Sequence, residues 1–272
     1  MTSAPDAGAA EHYDHLTAIL QEIGSVAVAL SGGVDSMTLA HVAHSALGRQ
    51  AEMFHAMSPA VPREAGERVR RHAIGAGWRL NVVDAGETTD ERYVANPVNR
   101  CFFCKTNLYG FIAGATTRTI VSGTNTDDLG DFRPGLEAAT DHAVRHPYVE
   151  ANLDKSAVRA LARHLSLDDI AELPAAPCLA SRIETGLRVT PKRLEIVDVV
   201  ERHLRERATS ATIRCRVRSR GVVIEVDAAS LETIKTDHAE SVVALLEAHG
   251  AHSNVQFEPY QQGGAFVHEN AP

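Results

Sequence analysis

Val26-Ala27-Val28-Ala29-Leu30-Ser31-Gly32-Gly33-Val34-Asp35-Ser36 is an apolar, β-favouring run that breaks into two glycines, and the helical pattern Met37-Thr38-Leu39-Ala40-His41-Val42-Ala43 follows it. This order predicts a strand, a tight loop and a helix N-terminus. Such a junction is an anion site. Gly32 and Gly33 let the backbone approach a ligand, the unpaired N–H groups of the first helical turn point at it, and the helix dipole favours negative charge there. Ser31 and Ser36 add hydroxyl donors, and Asp35 is the carboxylate expected to hold Mg²⁺ between phosphate oxygens. The spacing fits neither G-x-x-x-x-G-K-S/T nor G-x-G-x-x-G.

The chain has 272 residues, which suits one large and one small domain, and 44% hydrophobic residues are ample for a core. A net charge of −8 argues against a broad nucleic-acid-binding face and for a small substrate. No apolar stretch approaches the roughly 20 residues of a membrane span, and Met1–His12 has neither the basic start nor the apolar centre of a signal peptide. The expected location is the cytoplasm. There, four cysteines read as chemistry or metal ligands before disulfides.

After a small, polar start and a first helix at about His12–Ile23, the nucleotide strand and helix follow. Ala51–Ser58 reads as a strand. Pro62–Ala76 reads as an exposed helix whose arginines are mostly solvated, Leu80–Asp84 as a third strand, Phe103–Gly114 as a helix and Thr119–Ser122 as a fourth strand. Strands alternating with helices predict an α/β, doubly wound parallel sheet with its ligand at the carboxyl ends of the strands.

Three loops carry candidate chemistry. In Asn96-Pro97-Val98-Asn99-Arg100-Cys101-Phe102-Phe103-Cys104-Lys105, a C-x-x-C opens a helix. Cys101 and Cys104 so spaced suit a shared metal or cluster, a redox dithiol or a buried pair, and a helix N-terminus lowers a thiol's pKa. Gly123–Gly135 is dense in carboxylates and turn residues; it reads as a solvated loop capping Leu136–Ala143, or as a phosphate clamp through Arg133. In Pro174-Ala175-Ala176-Pro177-Cys178-Leu179-Ala180-Ser181-Arg182, a cysteine held after proline, four residues before Arg182, is a candidate sulfur-handling thiol or a buried structural one. Cys101, Cys104 and Cys178 together make three thiolates, which leave a 4Fe-4S cluster with one open iron able to bind sulfide.

Beyond Thr190 the pattern changes to a helix at Pro191–Arg207, a hairpin of Thr212–Arg218 and Val222–Asp227, a helix near Leu231–His249 and a strand at Asn254–Glu258. This predicts a small α+β domain. Alternation puts Arg214, Arg216 and Arg218 on one face of the first hairpin strand, with Cys215 turned to the core. Adjacent cations repel unless an anion sits between them; a solvated edge strand charged against aggregation is the other reading.

The loop SGGVDS resembles the pyrophosphate (PP) loop of the ATP pyrophosphatases, which cut ATP between its α and β phosphates and adenylate a substrate oxygen. With it, N-P-x-x-R-C-x-x-C-K, D-x-R-P-G, K-S-x-V-R at Lys155–Arg159, P-C-L-A-S-R and Thr190-Pro191 stand in the order found in LarE-like ATP-dependent sulfur transferases, over roughly Ala27–Glu225. The resemblance implies a PP-loop domain at 1–187 and a substrate-binding and oligomerisation domain at 188–272. It implies ATP, Mg²⁺ and a 4Fe-4S cluster as cofactors, a small-molecule nucleotide substrate, no membrane or nucleic-acid partner, and a homo-oligomer. In that family an acyl adenylate of a pyridinium biscarboxylic acid mononucleotide receives sulfur for the nickel-pincer cofactor of lactate racemase. Some members sacrifice their own cysteine to dehydroalanine and others use a cluster; Cys101, Cys104 and Cys178 match the second pattern. The resemblance also places the mononucleotide phosphate on Arg214 and Arg216, with Arg182 and Arg133 as further substrate contacts. A tRNA thiolation enzyme, an amide-forming synthetase and a non-enzymatic adenine-nucleotide-binding module are the alternatives.

Overall fold

The computed structural model describes residues 7–130, 134–175, 177–210, 212–251 and 254–261. In chain order its elements begin α1 (Ala7–Ile23), β1 (Val26–Ala29), α2 (Val34–Leu47), β2 (Ala51–Ala56), α3 (Arg63–Ala76), β3 (Arg79–Val83) and α4 (Glu91–Val94). They continue with α5 (Arg100–Ala115), β4 (Thr119–Ser122), α6 (Pro134–Asp141), α7 (Pro147–Glu150), α8 (Lys155–His164) and α9 (Asp168–Ala171). The last are α10 (Pro191–Arg205), β5 (Ile213–Arg218), β6 (Gly221–Val226), α11 (Leu231–Ala248) and β7 (Val255–Pro259). Two compact units divide them: Met1–Glu87 with Cys101–Ala176, and Thr88–Arg100 with Pro177–Pro272.

The first unit is the expected α/β layer structure. Its four strands run β3-β2-β1-β4, all parallel, with Val26 opposite both Ala51 and Thr119. Because β1 is buried along its whole length, its sequence is continuously apolar rather than alternating. One core joins Val26 and Val28 to α1, α2 and α8 through Leu16, Leu20, Met37, Leu39, Val158 and Leu161. The other joins Ala27, Ala29 and Phe54 to Leu108 and Ile112 of α5 and Ala138 of α6. The chain leaves β1 for β2 on one side and later returns to β4 on the other. The order therefore reverses at β1, and the crevice at such a reversal is where open α/β sheets bind ligands.

At the far half of α2, His41 Nε2 lies 3.0 Å from His72 Nδ1 of α3, and His72 Nε2 lies 3.0 Å from Asp169 of α9, which also accepts from Arg71 at 2.8 Å. Burial, then His72 and His44, pull the His41 pKa down to about 4. A folded-state pKa below the ordinary 6.5 means that protonation favours the unfolded chain. Stability from His41 is therefore complete above about pH 6.5 and lost as pH falls towards 4. The thermal midpoint is expected to drop across that window and to drop less in His41→Gln. Parallel pH profiles of the two proteins would contradict this origin.

In the second unit, β5 and β6 form an antiparallel hairpin with Arg218 opposite Gly221, and β7 adds parallel to β6. Gly221, at φ +139°, is required because a Cβ there would lie 2.4 Å from the Asn254 carbonyl oxygen. Thr190 caps α10 and Pro191 starts it. The segment before α5 belongs here too. Buried Asn96, at φ +58°, donates to the carbonyls of Glu184 and Leu187 at 2.8 and 2.9 Å, and Val189 N donates to Val94 O at 2.8 Å. These bonds join residues 88–100 to the chain after Pro177 within this unit. No helix among the described residues is long and apolar enough to cross a membrane.

Candidate functional site

The loop between β1 and α2 brings Ser31, Gly32, Gly33, Asp35 and Ser36 together at the sheet's switch point. Gly32 has φ +85°, and a Cβ on it would stand 2.9 Å from the Ala65 carbonyl of α3. Only glycine fits that turn. Ser31 and Ser36 hydroxyls lie 3.0 Å apart, and Ser36 Oγ also accepts from Ser31 N at 3.1 Å, so the hydroxyls fix the loop's shape. Arg68 of α3 donates to Gly32 O at 2.7 Å, and burial lowers its pKa from the ordinary arginine value. Among the arginines of α3 this one turns inward, while Arg63, Arg70 and Arg71 are exposed, as expected of a mostly solvated set.

Asp35 is the focus of the loop. Lys155 Nζ lies 2.5 Å from its Oδ2, and Asn125 Nδ2 donates to its Oδ1 at 3.2 Å. Tyr148 Oη, its pKa raised well up by burial and then by Asp35, donates to the Asp35 carbonyl at 2.9 Å. The chain after β4 must pass close to reach this place. A Cβ on Gly123 would stand 2.8 Å from Ser36 N. Asp127 Oδ2 accepts from Lys155 N at 3.1 Å, which joins the acidic loop to the start of α8. At the end of β4, Ser122 Oγ sits 2.8 Å from His146 Nδ1, and burial lowers the His146 pKa. A partly exposed carboxylate in a glycine loop at a helix N-terminus fits Mg²⁺, which takes one or two carboxylates and completes its shell with phosphate oxygens and water.

Cys101 and Cys104 lie near the start of α5, half-buried, at the i, i+3 spacing that sets two side chains on one helix face. As a pair they fit two thiolate ligands of one metal group. Among the described residues, no group of three or more His, Cys, Asp and Glu side chains is gathered to hold a metal ion. Arg133 lies outside the described residues.

Cys178 and Arg182 belong to the second unit. Cys178 is exposed and precedes a short turn, Leu179–Arg182. Arg182 is buried and donates to the carbonyls of Pro177 and Cys178 at 2.7 and 3.3 Å, so it fixes the backbone that presents the thiol. Its other edge forms a bidentate pair with Glu201 at 2.8 and 3.1 Å. Glu201 is 0% exposed and also accepts from Arg205 and, at 3.0 Å, from Cys215 N. Removing one partner of such a pair leaves an uncompensated buried charge. Glu201→Ala is expected to cost about 3–5 kcal/mol in chemical denaturation, and a loss below about 1 kcal/mol would show the network to be dispensable.

The anion shared by the hairpin arginines is internal. Glu225 accepts from Arg216 Nε at 2.9 Å and Arg218 at 2.8 Å, and Glu258 takes a further bond from Arg218 at 3.2 Å. Arg216 also donates to the carbonyls of Ser181 and Gln261. Arg214 is different. It sits half-buried over the Tyr260 ring at 5.8 Å, and desolvation, then the neighbouring Arg182, lower its pKa from the ordinary value. Cys215 lies in the core as the alternation predicted, with burial pushing its thiol well up.

Asn125, Tyr148 and Arg68, with Lys155 of the K-S-x-V-R motif, are members of the loop site to which the sequence assigned no role. Lys155 carried one signal, a cation at the first position of a helix, where the dipole disfavours it. The others carried none, because their partners lie 36 to 113 residues away along the chain.

No family model matches the chain. It is 35% identical over 196 residues to the uncharacterized protein slr1717 of Synechocystis, covering 71% of this chain and 73% of that protein. It is 27% identical over 195 residues to the pyridinium-3,5-bisthiocarboxylic acid mononucleotide synthase of Lactiplantibacillus plantarum, with 70% of each chain covered. Over 141 residues it is 26% identical to the uncharacterized protein MJ0830 of Methanocaldococcus jannaschii, covering 50% of this chain and 54% of that one.

Proposed function

The chain belongs to the LarE-like family, and on that premise we propose that it is an ATP-dependent sulfur transferase acting on a pyridinium biscarboxylic acid mononucleotide. The observation that carries the reading is the Ser31–Ser36 loop at the switch point of a parallel sheet, with the Asp35 carboxylate at its centre. In this reading the loop's N–H groups and hydroxyls bind the phosphates of ATP, and Asp35 holds Mg²⁺ on them. A carboxylate oxygen of the acceptor bonds to the α phosphorus as pyrophosphate departs, and the acyl adenylate exposes its carbonyl carbon to a sulfur nucleophile, with AMP as the next leaving group. The thiocarboxylate product matches the name of the Lactiplantibacillus relative.

Cys178 is the proposed sulfur-handling residue, since its thiol is exposed while its backbone is held by Arg182. As a sacrificial donor, its Sγ bonds to the carbonyl carbon and AMP leaves; loss of the Cα proton then breaks Cβ–Sγ and leaves dehydroalanine. The pair Cys101 and Cys104 favours a second source, a 4Fe-4S cluster held by these two thiolates and Cys178. Bound there by three thiolates, such a cluster would leave one iron without a protein ligand and open to inorganic sulfide. Arg214, desolvated and flanked by Tyr260, is the proposed contact to the acceptor's phosphate, with Arg182 and Arg216 framing it. Product analysis tests the adenylation: ATP consumed with acceptor should appear as AMP and pyrophosphate, and ADP with phosphate would rule it out.

A further inference from the structure

We infer that His41 and His72 form a site for a first-row transition-metal ion of the Zn²⁺ class, which fastens α2 to α3. His41 Nε2 and His72 Nδ1 come from different helices and lie 3.0 Å apart. Two nitrogens at that separation, each about 2.0–2.1 Å from one ion, subtend roughly 95° at it, between the octahedral and tetrahedral angles. The ring centroids are 5.2 Å apart, so the nitrogens face each other nearly head-on, and a tilt of both rings turns their lone pairs to a common point. Among the described residues no third His, Cys, Asp or Glu joins the pair as a ligand, so water completes the shell.

The surroundings set this pair apart from an ordinary hydrogen bond. His72 Nε2 lies 3.0 Å from Asp169 Oδ2. A carboxylate only accepts, so in the neutral ring Nε2 carries the proton and Nδ1 presents its lone pair towards His41. A carboxylate on the far nitrogen is how proteins hold a metal-binding imidazole in one tautomer and orientation. The low pKa of His41, about 4, keeps its ring neutral near pH 7, where protons do not compete with a metal for it. Two nitrogens of neighbouring side chains are buried without a hydrogen-bond partner among the described residues. They are Nδ1 of His44, one helical turn on from His41, and Nε1 of Trp78, whose ring centroid is 4.7 Å from that of His41. Buried polar atoms are normally paired, and an ion with its water supplies such partners. Arg71 shares Asp169 but is 63% exposed, so solvent screens its repulsion of a cation. Imidazole ligands suit Zn²⁺, Ni²⁺ or Cu²⁺, whereas Mg²⁺ takes oxygen. Asp35 stands six residues before His41, about 9 Å along α2, so this ion is separate from the glycine loop.

The test uses the full chain with Cys101, Cys104 and Cys178 changed to alanine, so that those thiols do not take up metal. Titration calorimetry with Zn²⁺, thermal midpoints with and without Zn²⁺, and pulsed electron paramagnetic resonance with one equivalent of Cu²⁺ supply the readouts. His41→Gln and His72→Gln are each expected to bind Zn²⁺ at least tenfold more weakly than this parent. They should also lose the imidazole-nitrogen coupling to Cu²⁺ and the rise in thermal midpoint that Zn²⁺ gives the parent. Asp169→Asn should weaken Zn²⁺ by about tenfold, the lower end for a lost partner of a metal-bound histidine. His238→Gln, on α11 of the other unit, should match the parent. A parent that binds no Zn²⁺, or equal Zn²⁺ binding in the parent, His41→Gln and His72→Gln, leaves a hydrogen bond alone and overturns the site. Displacement of the Zn²⁺ by excess Mg²⁺ overturns its nitrogen-ligand class. A glutamine variant with a collapsed circular dichroism spectrum is replaced by His41→Leu or His72→Leu, held to the same criteria.

Discussion

Cys178→Ala is expected to abolish sulfur transfer while ATP-dependent pyrophosphate release continues. In the proposed reading the exposed thiol serves the second half-reaction, and the Ser31–Ser36 loop stands on the other compact unit. The same residue separates the two sulfur sources. If three cysteines hold a cluster, anaerobically reconstituted protein should contain about four iron atoms per chain and absorb broadly near ~400 nm. Each of Cys101→Ala, Cys104→Ala and Cys178→Ala should then lower the iron content, and turnover with added sulfide should exceed one per chain. Cys215→Ala should leave iron untouched, since that thiol is buried in the core. A sacrificial enzyme would instead be active without iron, stop after one sulfur and lose the mass of H₂S at Cys178, with Cys101→Ala nearly harmless. Iron-free, active protein showing that mass loss would remove the cluster and keep Cys178 as donor. Full sulfur transfer by Cys178→Ala would remove both.

Asp35→Ala should reduce pyrophosphate release by roughly 10²-fold or more, the scale seen when one preorganised electrostatic group is taken from developing charge. It loses the proposed metal ligand and also the partner that positions Lys155 and Asn125. Circular dichroism should be nearly unchanged, because the side chain is partly exposed and α2 is anchored by Met37 and Leu39 in the core. Asp35→Asn keeps the shape and the neutral hydrogen bond but not the charge, so it should be nearly as inactive. Activity within threefold of wild type in Asp35→Asn would show that the carboxylate does not hold the metal.

Local chemistry made much of this protein readable. Strand β1, the glycine loop and α2 follow from an apolar run, two glycines and a helical period, all within 22 residues of chain. The hairpin β5–β6 follows equally from alternation around a two-residue turn. The helix ends at Thr190 and Asp154 are local as well, since a cap is satisfied within three residues. In each case the partners that decide the conformation are near neighbours in sequence, so their pattern is visible without the fold.

What only the tertiary structure decided is how charges far apart in sequence are matched. Three arginines on one strand face call for an anion, but nothing local tells a ligand phosphate from a carboxylate brought in by folding. The structure supplies Glu225 and Glu258 for Arg216 and Arg218 and sets Arg214 over the Tyr260 ring, donating to the Ile213 carbonyl. Arg182 likewise reads as a tuning charge four residues from Cys178, yet it is paired with Glu201 and touches the loop through carbonyl oxygens. The lysine on Asp35 lies 120 residues along the chain. The sequence by itself determined the glycine loop between strand and helix, the parallel sheet and which residues are chemically able to act. Long-range folding determined their partners, because electrostatic pairing depends on distance in space and carries no periodic signature along the chain.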